Sequence, residues 1–497
     1  MTIVETTCGR VEGIQREGQQ VFCGIPYAAP PTGDRRWRAP EPHEPWAGLR
    51  PAKEPGFAAP QTRHPIPGFA ASGPRDEGCL FLDIFTPAAD AARRPVLFWI
   101  HGGGFTHGAA SEELYDGGHL ARRGDVVVVG INYRLGALGY LWLGDILPDR
   151  GLVANAGQLD QIAALRWVHD NIAAFGGDPG NVTIFGESAG AAAVGTLLAM
   201  PAAAGLFHRA ILQSGTGRAS SREAATKLAD SMLAEFGIER SRAEAILTAE
   251  PDSIVEAQTR VVAAAGGFGL RFGPVVDDES LLQQPVEAVR AGRAAGIPVI
   301  AGTNRDEVKL FVPGRREPID DRSLLAGIGQ SLPNASADDL EGLIRVYRTS
   351  RAGRGLPNTN LDLLDAVNSD IRFRLPATRF AAAQRAHQPK THMYLFTRES
   401  PARGGSMGSC HALEIPFVFG SLDAPTQDRF AGTGPEVEAL SSNMMEAWLS
   451  FARSSSPGHE GIGHWPAYDA EQRATMVFDS PPEVVDDPLG EERRALA

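Results

Sequence analysis

The chain has 497 residues, 43% of them hydrophobic and 22% charged, which is ordinary for a globular protein with a large buried core. A formal net charge of −13 argues against nucleic acid and against an anionic membrane surface as partners. Met1 to Thr7 lacks the basic and apolar regions of a secretory leader, and no apolar run reaches the length of a membrane span. The four cysteines, Cys8, Cys23, Cys79 and Cys410, lie far apart without metal-ligand spacing, so the expectation is a cytoplasmic protein with reduced thiols.

In chain order, residues 3–14 read as a hairpin of two β-prone runs around Cys8-Gly9, and 20–33 as a strand running into a proline-fixed loop. A Pro- and Gly-rich stretch continues to Pro74. It is too long for an ordinary connector and is expected to be a surface loop that shapes a site entrance. Strand signals return at 80–86, 95–100 and 126–132, followed by a helical pattern at 161–172. Residues 182–185 form a short apolar strand ahead of a small-residue helical run at 191–200. Further strands are expected at 209–213, 298–302 and 392–396, separated by alanine-rich helical stretches. These runs are apolar without alternation, which means strands covered on both faces: an α/β architecture with a mostly parallel central sheet. No repeat, low-complexity tract or flexible linker divides the chain, so 1–497 is expected to be a single domain.

The chemistry concentrates at Gly186-Glu187-Ser188-Ala189-Gly190, a G-x-S-x-G between the strand and the helix. A serine on such a turn has its Oγ pushed out of regular structure, and glycines flank it where strand and helix backbones pass too closely for a Cβ. The helix start directs free N–H groups at developing negative charge. Such a nucleophile needs a base, an acid to orient it and oxyanion donors, with chain order Ser, acid, His in α/β-hydrolases. That order excludes His101, His107 and His169, and His208 follows too soon. His387 falls on a solvated helix face, His392 within a strand, and His459 and His464 in a Pro/Gly-rich tail. His411 remains, on the glycine-rich loop 404–412 beyond the last strand. For the acid, the strand at 297–304 ends in Asp306-Glu307, and either carboxylate suits the role; capping of a helix start is the competing explanation. Phe98-Trp-Ile-His-Gly-Gly-Gly-Phe105 is a strand emptying into three glycines, where the N–H groups of Gly103 and Gly104, with that of Ala189, suit an oxyanion hole. Ser214, at the end of the next strand, is expected to support the site through hydrogen bonds.

These motifs, with 22–33, 76–84, 131–139, 175–190 and 414–420, resemble the type-B carboxylesterase family, which includes p-nitrobenzyl esterases, animal carboxylesterases and cholinesterases. The resemblance runs nearly end to end. It implies an α/β-hydrolase fold with inserted loops and helices over the active site, and a serine carboxyl-ester hydrolase with nucleophile Ser188, acid Glu307 rather than Asp306, and base His411. The same comparison places the oxyanion hole at Gly103, Gly104 and Ala189. No metal or organic cofactor is implied; the expected partner is a small-molecule ester, and nothing bears on oligomeric state. The family's D-E-G reads Asp306-Glu307-Val308 here, and Cys79 matches a cysteine disulfide-bonded in secreted members but finds no partner within 55–78. That loop carries Phe57 and Phe69 and lacks the cholinesterases' tryptophan, so neutral short-to-medium acyl esters are expected rather than choline esters. An amide, carbamate or lactone hydrolase with the same machinery is the alternative. An inactive scaffold protein of this family usually lacks a triad residue, and here all three are present.

Overall fold

The apolar runs become strands buried along their length. In the computed structural model, which describes residues 2–64, 69–266, 271–312 and 317–496, the chain forms two compact units. One comprises Met1–Leu212, Thr216–Pro298 and Phe451–Ser455; the other comprises Gln213–Gly215, Val299–Ser450 and Ser456–Ala497.

The strands of the first unit are β1 (Thr2–Thr6), β2 (Gly9–Arg16), β3 (Gln19–Pro26), β4 (Leu49–Pro51), β5 (Phe81–Thr86), β6 (Arg94–Ile100), β7 (Val127–Ile131), β8 (Gly177–Glu187) and β9 (Arg209–Gln213), with a small separate pair, β10 (Ser220–Ser221) and β11 (Val275–Val276). Their order is β1-β2-β3-β5-β7-β6-β8-β9, with β4 on β2. β1, β2, β3, β5 and β7 pair antiparallel, whereas β6 pairs parallel with both β7 and β8. Val96 to Ile100 of β6 are no more than 1% exposed, as a strand covered on both faces requires. β8 starts five residues before the apolar run at 182–185, because Gly177 pairs with Arg94 and a register shift between Arg94 and Val96 absorbs Asp178-Pro179-Gly180. After β7, Arg134 makes a buried ion pair with Asp160, 2.6 Å at Nη2–Oδ1.

The stretch expected as a surface loop up to Pro74 is more structured than that. β4 lies in it, Ala58 bridges to Arg75, and Trp37 is 1% exposed with its indole N–H donating to the Ala137 carbonyl at 2.7 Å. Residues 65–68 of it lie outside the described residues.

In the second unit β12 (Val299–Asn304), β13 (Thr391–Phe396) and β14 (Ala474–Phe478) run parallel, and β15 (Glu483–Asp486) closes the edge antiparallel. β14 and β15 were not expected: they are short and sit in a polar, proline-containing tail, so pairing with β13 creates β14 more than local pattern does. The helices Asp321–Ser331, Ala337–Gly353 and Asn360–Ser369 share an apolar core that includes Leu324, Ile328, Tyr347 and Leu363. All four cysteines are free, and Cys23, Cys79 and Cys410 are buried. No helix among the described residues is long and apolar enough to cross a membrane.

Candidate active site

In the first unit, β8 delivers its last residue, Glu187, directly to Ser188, and the helix Ala189–Leu197 begins at the next position. Ser188 holds φ 56° and ψ −120°, a combination that costs a non-glycine residue about 1–3 kcal/mol and persists only where the surroundings enforce it. Here strand and helix enforce it. A Cβ on Gly186 would lie 2.6 Å from the Gly190 carbonyl carbon, and one on Gly190 would collide with the Ile100 carbonyl. Ser188 is partly exposed between buried neighbours Glu187 and Ala189, so the hydroxyl side of the turn stays accessible.

The pairing of Ile100 with Gly186 brings the glycines after β6 beside this turn. A Cβ on Gly102 would stand 3.3 Å from the Ser188 Cβ. Gly103 and Gly104 have φ of +103° and +65°, conformations that glycine adopts without strain, and the Gly103 carbonyl accepts from the N–H groups of Thr106 (3.1 Å) and His107 (2.9 Å). Gln61 fastens the far side: its Oε1 accepts from the N–H groups of Gly108 and Ala71, both at 2.9 Å, and its Nε2 donates to the carbonyls of Gly108 (2.9 Å) and Ala59 (3.0 Å). Sequence reasoning missed Gln61, since nothing local marks a glutamine that closes a contact 47 residues away. His101, passed over as a base, stacks on Tyr133, and burial pushes its pKa down to about 4. His208 accepts from the Val182 N–H at 3.1 Å, a structural role as expected.

In the second unit the end of β12 and the loop after β13 are stitched together by backbone. Arg305 N–H donates to the Phe396 carbonyl (3.0 Å), Asp306 N–H to that of Ser409 (2.8 Å), and His411 N–H to that of Glu307 (3.3 Å). This sets Glu307 Oε2 2.6 Å from His411 Nδ1, with both side chains fully buried. The other Glu307 oxygen accepts from the Asn304 N–H at 2.8 Å, so the carboxylate is fixed at both ends. Asp306, the neighbouring candidate, turns elsewhere: its Oδ2 accepts from Ser409 N–H (3.0 Å) and Arg305 Nε (3.0 Å), with Lys309 and Arg351 close by. Burial pushes the Asp306 carboxyl up, but the charges of Arg305 and Lys309 and the Ser409 N–H outweigh it and hold it below the ordinary range.

Glu414 also belongs here. Asn304 Nδ2 donates to it at 2.6 Å, and burial, then the charge of Glu307, pushes its pKa up to about 7. Ser214 has φ 53°, and its N–H donates to the Gly302 carbonyl at 2.8 Å. The hydrogen bond it makes is this backbone one, and its buried Oγ has no partner among the described residues. Of the two phenylalanines marked in the sequence, Phe57 is 46% exposed and Phe69 stacks on His64.

A sheet in which β6 runs parallel to β7 and β8, and in which β8 ends in a strained serine at a helix start beside a glycine turn, places the chain among serine hydrolases of the α/β-hydrolase fold. A sequence model of the carboxylesterase family matches residues 1–496. The chain is 38% identical to para-nitrobenzyl esterase of Bacillus subtilis (strain 168), covering 99% of this chain and 98% of that one, and 35% identical to phenmedipham hydrolase of Pseudarthrobacter oxydans, covering 96% and 94%. Among solved structures, the carboxylesterase of Geobacillus stearothermophilus superposes with a TM-score of 0.87 at 41% identity over the whole of both chains. The chain belongs to the carboxylesterase family, and its activity is that of a serine carboxyl-ester hydrolase acting on small-molecule esters.

Proposed function

We propose that residues 1–497 act as one domain in which Ser188 is the nucleophile, His411 the base and Glu307 the acid. The observation that carries the reading is the fully buried Glu307–His411 contact of 2.6 Å, since a carboxylate bound at Nδ1 leaves Nε2 to exchange the serine proton. His411 Nε2 takes the proton from Ser188 Oγ as the oxygen attacks the ester carbonyl, and gives it to the departing alcohol. Water then repeats the sequence on the acyl-enzyme, releasing the acid and restoring Ser188. The N–H groups of Gly103, Gly104 and Ala189 bind the oxyanion, a role that the positive φ values of the two glycines and the helix start at Ala189 support.

The preferred substrates are neutral short-to-medium acyl esters. The loop with Phe57 and Phe69 supports this, because it offers no tryptophan face to a quaternary ammonium. Carbamates are the second reading, favoured by the 35% identity to phenmedipham hydrolase. Four free cysteines, three of them buried, support a reducing, cytoplasmic setting. The test compares kcat/KM for p-nitrophenyl butyrate, a p-nitrophenyl carbamate, butyrylcholine and its uncharged isostere 3,3-dimethylbutyl butyrate. The isostere is expected to match or exceed the choline ester. A preference for the choline ester above about tenfold, roughly 1.4 kcal/mol in transition-state binding, would overturn the substrate assignment.

A further inference from the structure

Between the helices Asn360–Ser369 and Leu375–Arg385 the chain makes one π-helical turn, Asp370–Arg374. Such turns are rare and concentrate at functional positions. Sequence accounts for this one: Pro376 has no N–H to give, and in a regular helix its ring would press on the carbonyl four residues earlier, that of Arg372, in the middle of the wide turn. The turn is costly to hold and it is held firmly. Arg374 binds Asp370 with both arms (Nε–Oδ1 2.6 Å), Tyr347 Oη also bonds Asp370, and Arg374 Nη1 reaches the carbonyl of Leu489 at 3.2 Å. Tyr347, Asp370 and Arg374 are all at least nine-tenths buried.

What this anchored turn presents is Phe373. Its ring lies 4.9 Å from the His411 imidazole at an interplanar angle of 49°. Phe311 touches the same imidazole at 5.0 Å. The residue just before the turn, Ser369, accepts through Oγ from the Val308 N–H at 3.1 Å, next to Glu307. One anchored segment therefore touches the His411 imidazole and the backbone of the residue next to Glu307. Aromatic rings at such distances and tilts hold each other in preferred geometries, and a ring near a forming imidazolium favours the cation.

We infer that Phe373, carried by the π-turn, is a positioning residue for His411: it keeps the imidazole in the orientation in which the base acts. The inference rests on the reading of His411 as the base. It concerns the ring, not the volume it fills. The test is a set of purified full-length variants assayed with p-nitrophenyl acetate, their folding checked by thermal melting. Phe373→Leu is expected to lower kcat about tenfold with KM unchanged, the pattern of an interaction that matters in the transition state. Phe373→Tyr, which retains a ring, is expected to stay within about twofold. In a His411→Ala background, Phe373→Leu is expected to have no further effect, because there is no imidazole left to orient. Should Phe373→Leu melt early, Phe373→Met is the substitute of similar size. A loss confined to KM, a Tyr variant as poor as Leu, or an undiminished loss in the His411→Ala background would overturn the inference and leave the triad standing. Full turnover in His411→Ala alone would instead remove the triad reading and this inference with it.

Discussion

Asp306 and Glu307 are adjacent carboxylates with separate partners, and residue-level energetics keep them apart. Glu307→Gln preserves shape but removes the charge facing His411 Nδ1, so kcat is expected to fall by about three to four orders of magnitude with folding intact. Asp306→Asn leaves the Ser409 N–H an acceptor but strands the charges of Arg305, Lys309 and Arg351, at a cost of about 3 kcal/mol in urea unfolding, while turnover stays within about tenfold. The depressed Asp306 pKa adds a sign: its contribution is present above the ordinary carboxylate range and disappears as pH falls through the folded value. Equal losses of kcat in both variants would contradict the assignment. Glu414 carries the opposite sign. Its folded pKa of about 7 exceeds the unfolded value near 4.3, so the folded state binds the proton more tightly and stability drains as pH rises between the two. Glu414→Gln removes that slope and is expected to gain stability relative to the parent, on the order of 3 kcal/mol, between pH 5 and 7.5. Urea unfolding at the two pH values measures it; a difference independent of pH would contradict it. Ser188, Glu307 and His411 are proposed from sequence because motif, chain order and family resemblance each constrain them, and the structure adds the Glu307–His411 contact. Glu414 appeared only as part of the motif at 414–420, and its altered titration arises first from burial and then from the charge of Glu307, 107 positions away in sequence, neither of which a local pattern reports.

At the scale of elements, strands buried on both faces were the easiest to read. β6 and β7 appear within a residue of their apolar runs, since burial on both faces leaves no alternation to misjudge. The stretch before Pro74 defeated the same reasoning. Its order comes from tertiary contacts such as Trp37 with Ala137 and Gln61 with Gly108, made by single residues set among prolines. The turn after β6 gives the sharpest element-level prediction. A Cβ on Gly103 would collide with the His107 carbonyl, and φ +103° is one that L side chains rarely adopt. Gly103→Ala is therefore expected to displace the turn and lower kcat by about two to three orders of magnitude, while Gly205→Ala, at φ +83° with open space around it, leaves kcat unchanged. Loss of kcat in both variants would show that backbone strain alone, and not the oxyanion donors, accounts for the effect.

For the whole molecule, a net charge of −13 is a statement about encounter and solubility rather than about chemistry. Its field is screened within about 8 Å at physiological salt, so kcat/KM for a neutral ester is expected to change by less than about twofold between low salt and 0.5 M. A steep salt dependence with a neutral substrate would mean that charge governs recognition after all. In the proposed function a single serine, Ser188, forms the acyl-enzyme. The most direct measurement is to treat the full-length protein with a fluorophosphonate, follow residual activity, and locate the adduct by mass spectrometry. One adduct per chain on Ser188, rising in step with the loss of activity and absent from Ser188→Ala, is the predicted result. An adduct on Ser214 or another serine, or a Ser188→Ala variant that still turns over esters, would contradict the account.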